Sequence, residues 1–206
     1  MSPAMRTALI LFVALSMLTG IVYPLAITAY AALLHGASAQ GALIYSGGVA
    51  IGSELLGQEF HSAQYFWGRL SATAPRPYTA FDATTLTGSS GSNYGPLHPA
   101  LSAAAAARIE ALRTAERRVG ADASRAIPLE LVTASASGLD PHIGLSAARY
   151  QVERVAFSRG LDASRVESLV AAHTRDRQWG FLGEPVVHVL RLNLALDRES
   201  APLHAR

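Results

Sequence analysis

The residues best suited to chemistry lie in one short run, residues 135–142, which holds two serines, a glycine, an aspartate and a histidine. Ser137, Asp140 and His142 are the side-chain types of a serine hydrolase, in which an imidazole takes the proton of the attacking hydroxyl. The run lacks a G-x-S-x-G motif, and such a triad is recognised only by its geometry. A serine hydrolase is therefore an alternative and not the main prediction.

The same run could instead bind an anion or a nucleotide phosphate, because backbone amides ahead of a helix attract phosphate oxygens. A purely structural interpretation is a tight turn in which Asp140 caps a helix that begins at Pro141. The residue types favour the structural turn over the anion site. We predict a docking loop, or an anion- or nucleotide-binding loop, that contains no catalytic residue and consists of Ser135, Ser137, Gly138, Asp140 and His142.

A second loop, residues 88–96, is rich in glycine, serine and asparagine. Such a segment could surround a phosphate, but no lysine follows it and no strand–loop–helix frame is evident. We predict that Gly91, Ser92, Asn93 and Gly95 belong to a docking loop.

The composition excludes several kinds of site. Lysine and cysteine are both absent, which rules out a P-loop lysine, a Schiff base, a thiolate nucleophile and disulfides. The seven histidines are scattered and form no i, i+4 pair beside an acid, so no metal site is predicted. The net charge of +2 comes without a dense basic stripe, so no nucleic-acid partner is expected.

The first element that must position these residues is a membrane anchor. Residues 7–34 carry no charged side chain, and about 20 apolar residues suffice to span a bilayer. A signal peptide has an apolar core of only about 7–15 residues, so we predict a retained helix within residues 1–36. Arg6 precedes this helix and the next arginine is Arg69, which places the N-terminus in the cytoplasm and the domain outside.

Two small residues in the anchor, Ser16 and Gly20, are spaced as small-x-x-x-small. This spacing allows another helix to approach closely. We predict that they form a packing face of the membrane helix.

Residues 37–206 are predicted to form one soluble α+β domain with helices and a small sheet. Residues 41–51 are predicted to form a hairpin around Gly47-Gly48. Residues 52–98 are predicted to form a long loop, whose aromatic residues either form a docking surface or pack against the core. A helix is predicted from Pro99 to about Val119, with Gly120 as its stop.

Three further elements are predicted near the C-terminus. One helix follows Asp140-Pro141 or begins near Ser146, and ends before Gly160. Another opens at Ser164, where Glu167 completes a capping box. The alternation of apolar residues over 186–197 indicates a half-buried strand.

Together, several blocks in order resemble the C subunit of the bacterial Kdp-type potassium-transporting ATPase. The blocks follow an N-terminal span and comprise residues 52–60 (GSELLGQEF), 65–72 (YFWGRLSA), 91–96 (GSNYGP), 132–143 (VTASASGLDPHI), 183–185 (GEP) and 192–197 (LNLALD). The resemblance covers nearly the whole chain. The family usually has Arg-Pro-Ser where Arg69-Leu70-Ser71 stands, a small departure.

The resemblance implies a non-catalytic accessory subunit of the bacterial inner membrane. Its partners would be a channel-like potassium-binding subunit, a P-type ATPase subunit and a small membrane peptide. The subunit would assist assembly and raise the apparent ATP affinity of the ATPase subunit, as a catalytic chaperone. No tightly bound cofactor is expected, and ATP would act through the complex.

The predicted orientation conflicts with direct nucleotide contact. ATP is bound and hydrolysed in the cytoplasm, whereas the positive charge of Arg6 places the domain outside. Any effect on ATP affinity must then arise because the subunit binds one transport conformation better than another.

Overall fold

The computed structural model describes residues 2–200, and its chain divides into two compact units, Met1–Ile51 and Gly52–Arg206. The predicted α+β class with one N-terminal apolar helix is confirmed. The predicted limit of the anchor at residue 36 stays a prediction.

The first unit begins with one helical span that is long and apolar enough to cross a membrane, Pro3–Leu34. It consists of α1 (Pro3–Met17), a π-helical segment (Leu18–Val22) and α2 (Tyr23–Leu34). Pro24 explains the interruption, because proline has no N–H and its ring collides with the carbonyl of the residue four positions earlier, Gly20. A wider π turn removes this collision.

A short helix α3 (Gly36–Ala39) follows, and then the strands β1 (Leu43–Ser46) and β2 (Val49–Ser53). Gly47 and Gly48 connect the strands with φ values of +57° and +80°. Two positive φ values are what a two-residue hairpin turn requires, and glycine adopts them without strain. The predicted hairpin is confirmed.

Residues 52–98 contain little regular structure beyond a small hairpin, β3 (Phe81–Asp82) and β4 (Thr87–Gly88). Buried side-chain amides take the place of a neighbouring strand for part of this loop. Asn193 Oδ1 accepts from Phe66 N at 2.8 Å, and its Nδ2 donates to Phe66 O at 3.0 Å. Gln151 makes the same pair of bonds with Trp67, at 2.8 and 3.1 Å. The buried backbone of the loop is thus fully paired at these two residues.

The Trp67 indole fastens the loop to two helices. It is 4% exposed, and the guanidinium groups of Arg108 and Arg154 each lie 4.8 Å from its ring centroid. Arg154 is fully buried and donates to the carbonyls of Ala63 and Tyr65. The interpretation that aromatic residues pin the loop to the core is confirmed for this stretch.

Helix α4 (Pro99–Val119) has the predicted bounds. The ring Nδ1 of His98 accepts from Ala100 N at 3.2 Å, and Gly120 ends the helix with a φ of +80°. A short 3-10 turn, Leu129–Leu131, leads towards residues 135–142.

The three-stranded sheet has the order β5–β7–β6, with β5 (His142–Gly144), β6 (Thr174–Arg175) and β7 (Val186–His188), all antiparallel. The prediction of a helix start at Asp140-Pro141 is wrong, because this pair leads into β5. The alternative start near Ser146 is confirmed, since α5 spans Leu145–Arg159 and ends at Gly160.

Helix α6 (Ala163–Ala172) begins earlier than predicted. The capping box at Ser164 and Glu167 is wrong: Asp162 occupies the N-cap position, and Glu167 instead pairs with Arg149 at 2.8 Å. The Asp162 side chain makes no cap hydrogen bond, and its backbone carbonyl accepts from Arg165 N at 3.0 Å.

The predicted strand over 186–197 is wrong beyond His188, where helix α7 (Val189–Ser200) begins. Its buried positions are Val189, Leu190, Leu192, Asn193 and Leu196. They recur at helical spacing, whereas alternating Leu194 is only partly buried. Leucines at every second position are compatible with a strand and with a helix. The helical pattern was missed because Asn193, a polar residue, occupies one of its buried positions.

The core of the second unit is formed by α4, α5, α6, α7, the sheet and part of the 52–98 loop. Its largest fully buried apolar side chains are Phe66, Leu112, Leu131, Ile143, Leu192 and Leu196.

Candidate functional site

The 135–142 loop lies among three other segments of the second unit. Ser135 N donates to Leu70 O at 2.9 Å, and Ser90 N donates to Ser137 O at 3.0 Å. Gly57 N donates to Leu139 O at 2.8 Å. The loop is thus held by backbone bonds to segments far apart in sequence.

Gly138 is the tightest point of this loop. Its φ is +68°, and a Cβ atom there would lie 2.5 Å from Ser90 O and 2.6 Å from Thr73 Cγ2. Both the left-handed backbone and the lack of space require glycine. The residue has a packing role that its place in the sequence did not reveal.

The backbone amides of the loop are largely used within the protein. Gly138 N donates to Ser135 O at 3.3 Å, Leu139 N to Ser137 Oγ at 3.1 Å, and His142 N to Asp140 Oδ1 at 3.0 Å. A phosphate-binding loop needs amides that point at the ligand. The geometry therefore argues against a phosphate cradle, and the docking role stays a prediction.

Asp140 is the electrostatic centre of the loop. Its carboxylate lies 3.3 Å from Arg69 Nη1 and 3.7 Å from His142 Nδ1. Partial burial raises the pKa of this carboxyl, but the hydrogen bonds from His142 and the charge of Arg69 outweigh it and lower the pKa below its usual value. Asp140 is not a helix cap. It closes an Asx turn that leads into β5.

The three hydrolase residues are not assembled as a triad. Ser137 Oγ accepts from Leu139 N, and no hydrogen bond joins it to a histidine ring in residues 2–200. The His142 ring instead meets His188 edge to face, with 5.2 Å between centroids. Without a serine–imidazole contact, the hydrolase alternative has no geometric support.

Ser135 is buried more deeply than its neighbours. It is 3% exposed, and its Oγ has no hydrogen-bond partner. With Arg69 it borders an open cavity of about 500 Å³. A larger cleft of about 920 Å³ is also lined by Arg69 and Asp140 and reaches the 175–186 segment. Both cavities therefore share the Arg69–Asp140 pair.

The second predicted loop meets the first at Gly91. A Cβ atom there would lie 2.7 Å from Ala136 O, and the neighbouring Ser89 Oγ donates to Ser137 O at 3.0 Å. Asn93 and Gly95 are exposed, and Ser92 is partly buried. The structure thus joins the two predicted loops at one end and leaves the other end open to solvent.

Sequence analysis missed the residues that support both loops. Ser71 Oγ accepts from Tyr78 N at 2.9 Å and donates to Gly138 O at 2.7 Å. Tyr78 has a φ of +60°, and its ring fills the space beside Gly57. Burial raises the pKa of its phenol to about 12, so the phenol stays a donor to Arg69 O. The glycines at 57 and 68, both in contact with this ring, were the only sequence signal.

In the membrane helix, Ser16 and Gly20 lie in the exposed span, and a Cβ atom at Gly20 would meet nothing within 4 Å. Their packing role stays a prediction. Among residues 2–200 there is no group of three histidines or acids arranged to hold a metal ion.

Known proteins resemble this chain over nearly its full length. The family model described as KdpC: K+-transporting ATPase, c chain matches residues 5–198. Two relatives, both called potassium-transporting ATPase KdpC subunit, come from Variovorax paradoxus and Burkholderia vietnamiensis. The first is 53% identical over 98% of this chain and 99% of the relative. The second is 52% identical over 96% and 97%.

Proposed function

Since the chain belongs to the KdpC family of K+-transporting ATPase c chains, we propose that it is a non-catalytic accessory subunit of an ATP-driven potassium uptake complex. The near full-length identity of 53% with a potassium-transporting ATPase subunit carries the proposal. The absence of lysine and the unassembled serine–histidine pair agree with a subunit that has no catalytic site of its own.

The proposed partners are a channel-like potassium-binding subunit, a P-type ATPase subunit and a small membrane peptide. The span Pro3–Leu34 anchors the chain in the bacterial inner membrane. Arg6 supports a cytoplasmic N-terminus and an extracytoplasmic domain.

The subunit raises the apparent ATP affinity of the ATPase subunit without touching ATP. Across the membrane from the nucleotide, it acts by binding one transport conformation more tightly, a coupling typically worth about 1–3 kcal/mol. The internally bonded amides of Gly138, Leu139 and His142 support this indirect route.

The test is co-purification of the membrane complex with a tagged chain, followed by ATP titration of the potassium-stimulated hydrolysis. The ATPase subunit is expected to co-purify with the chain, and the apparent Km for ATP is expected to rise by about 5- to 150-fold in ATPase prepared without the chain. Recovery of the chain without the ATPase subunit would contradict the proposal.

Calorimetry on the full chain in detergent separates the indirect route from direct binding. A silent ATP titration is expected. A saturable signal at micromolar ATP that is lost in Ser135→Ala would support direct contact instead.

Ser137→Ala tests the hydrolase alternative in the same complex. Potassium-stimulated ATP hydrolysis at saturating ATP should stay close to wild type, since Ser137 Oγ serves only a local turn. Loss of turnover in a complex that still assembles would revive serine chemistry.

A further inference from the structure

The loop between β6 and β7 ends in a cluster of exposed apolar side chains. Trp179 is 77% exposed, Phe181 68% and Leu182 44%, and the two rings lie 6.5 Å apart. We call these three residues the aromatic tip. Three such side chains within four residues form an apolar projection.

The backbone beneath the tip is well ordered. Gln178 N donates to Leu182 O at 2.8 Å and Leu182 N to Gln178 O at 2.9 Å. The ion pair between Arg177 and Glu184, at 2.5 Å, closes the base of the loop. A rigid projection loses little conformational entropy when it binds.

Tryptophan is an unfavourable residue type for the backbone conformation at position 179. Its φ is +54° and that of Gly180 is +82°, as in a turn whose first central position favours asparagine or glycine. A bulky residue there is strained, and an exposed indole adds nothing to the core. A residue that violates local turn chemistry and is also exposed is best explained by binding.

The charges around the tip identify the occupant. Arg175 and Arg177 alternate with Asp176 and Glu184, two bases with two acids. An anionic headgroup surface favours a net basic patch, whereas these balanced charges suit a protein surface that complements both signs. Aromatic anchors inside a charged rim are also the composition of protein–protein hot spots.

We propose that the aromatic tip docks into an apolar pocket, with a rim of mixed charge, on another subunit of the same pump. The inference rests on the proposed function and adds a contact surface to it. The tip enters the pocket, and the Arg177–Glu184 pair lies at its edge.

The test exploits the opposite effects of Trp179→Asn on folding and on docking. Asparagine suits the turn, so the melting temperature of the full chain in detergent should be unchanged or higher by up to about 3 °C. In the complex, the dissociation constant measured by dilution of the purified assembly should rise by about 10-fold or more. Phe157→Ser, which removes a 57% exposed phenylalanine from α5, is the matched control and should leave both quantities unchanged.

Three outcomes would overturn the proposal. The Trp179→Asn variant could assemble as tightly as wild type, which would show that assembly does not need the indole. It could instead lower the melting temperature markedly, which would show that Trp179 stabilises the fold. Brominated lipids around the assembled complex could quench the fluorescence that Trp179→Phe removes, which would make lipid the occupant. Failure of the wild-type chain itself to co-purify would instead reject the proposed function.

Discussion

Three histidines serve as hydrogen-bonding groups at helix ends. The Nδ1 atoms of His98 and His188 accept from backbone amides at the starts of α4 and α7. His173 Nδ1 lies 2.8 Å from Leu169 O at the end of α6. An imidazole can accept at Nδ1 only when it is neutral there. The histidines that made no metal motif in the sequence thus have a role that only the helix boundaries reveal.

His188 should make the domain sensitive to mild acid. Burial lowers the pKa of its imidazole, the hydrogen bond to Glu54 O opposes this, and the charges of His142 and Arg191 lower the pKa further. The folded state then binds fewer protons, so stability falls as pH drops below the ordinary value of about 6.5. His188→Asn keeps a capping acceptor that does not titrate.

The measurement is the melting temperature of wild type and His188→Asn at pH 7.5 and 5.5. Wild type should lose more than the variant over this interval. Equal losses would mean that His188 does not control this sensitivity. His188→Ala, which lacks an acceptor, should cost about 0.5–2 kcal/mol already at pH 7.5.

Asp140 should have a pH dependence of the same sign as His188, confined to stronger acid. The pKa of its carboxyl is lowered in the folded state, so its stabilisation is complete above about pH 4, the ordinary aspartate pKa, and is lost as pH falls below it. Asp140→Asn retains an acceptor for His142 N but cannot pair with Arg69. In urea unfolding, the difference between wild type and this variant should shrink from pH 6 to pH 3. A difference independent of pH would contradict the role of the ion pair.

At the scale of elements, local signals predicted some boundaries and missed others for identifiable reasons. Pro99 and Gly120 mark the ends of α4 directly, and Gly47-Gly48 marks the hairpin turn. The start of α7 was missed because His188 is an unusual helix cap and Asn193 an unusual core residue. Asn193 is buried only because it pairs with the backbone of Phe66, 127 positions away. No local pattern encodes such a partner.

In the membrane helix, the small residues should matter for assembly and not for insertion. Gly20→Leu adds a side chain where the isolated chain has open space, so insertion should be unaffected. Close approach of another helix would be blocked. The yield of co-purified complex should fall, whereas Ala14→Leu, half a turn away from Ser16, should not reduce it. Equal yields for both variants would indicate that Gly20 faces lipid.

At the scale of the whole molecule, composition predicted the class and the resemblance predicted the family. The candidate site was predicted only in part. Residues 135–142 and 88–96 were each identified, but their meeting at Gly91 and Ala136 required the fold. The support from Ser71 and Tyr78 was not predictable, because hydroxyl groups in a loop carry no signal of their partners. The aromatic tip was not predicted, because the sequence does not show whether Trp179 and Phe181 are buried or exposed.

The topology of the chain can be tested directly. The N-terminus should be cytoplasmic and the domain outside, because Arg6 is the only charged residue before Glu54. Protease added to intact spheroplasts should digest the domain. Protection there, with cleavage in inverted vesicles, would reverse the orientation and make direct contact with cytoplasmic ATP feasible.

The π-helical segment Leu18–Val22 changes what the anchor can present to its surroundings. Each residue of an α-helix turns the chain by about 100°, and a wider turn takes up an additional residue. The side chains on one face of α1 are therefore rotated about the helix axis relative to those that continue the same face along α2. A single straight neighbour can match one half of the span or the other.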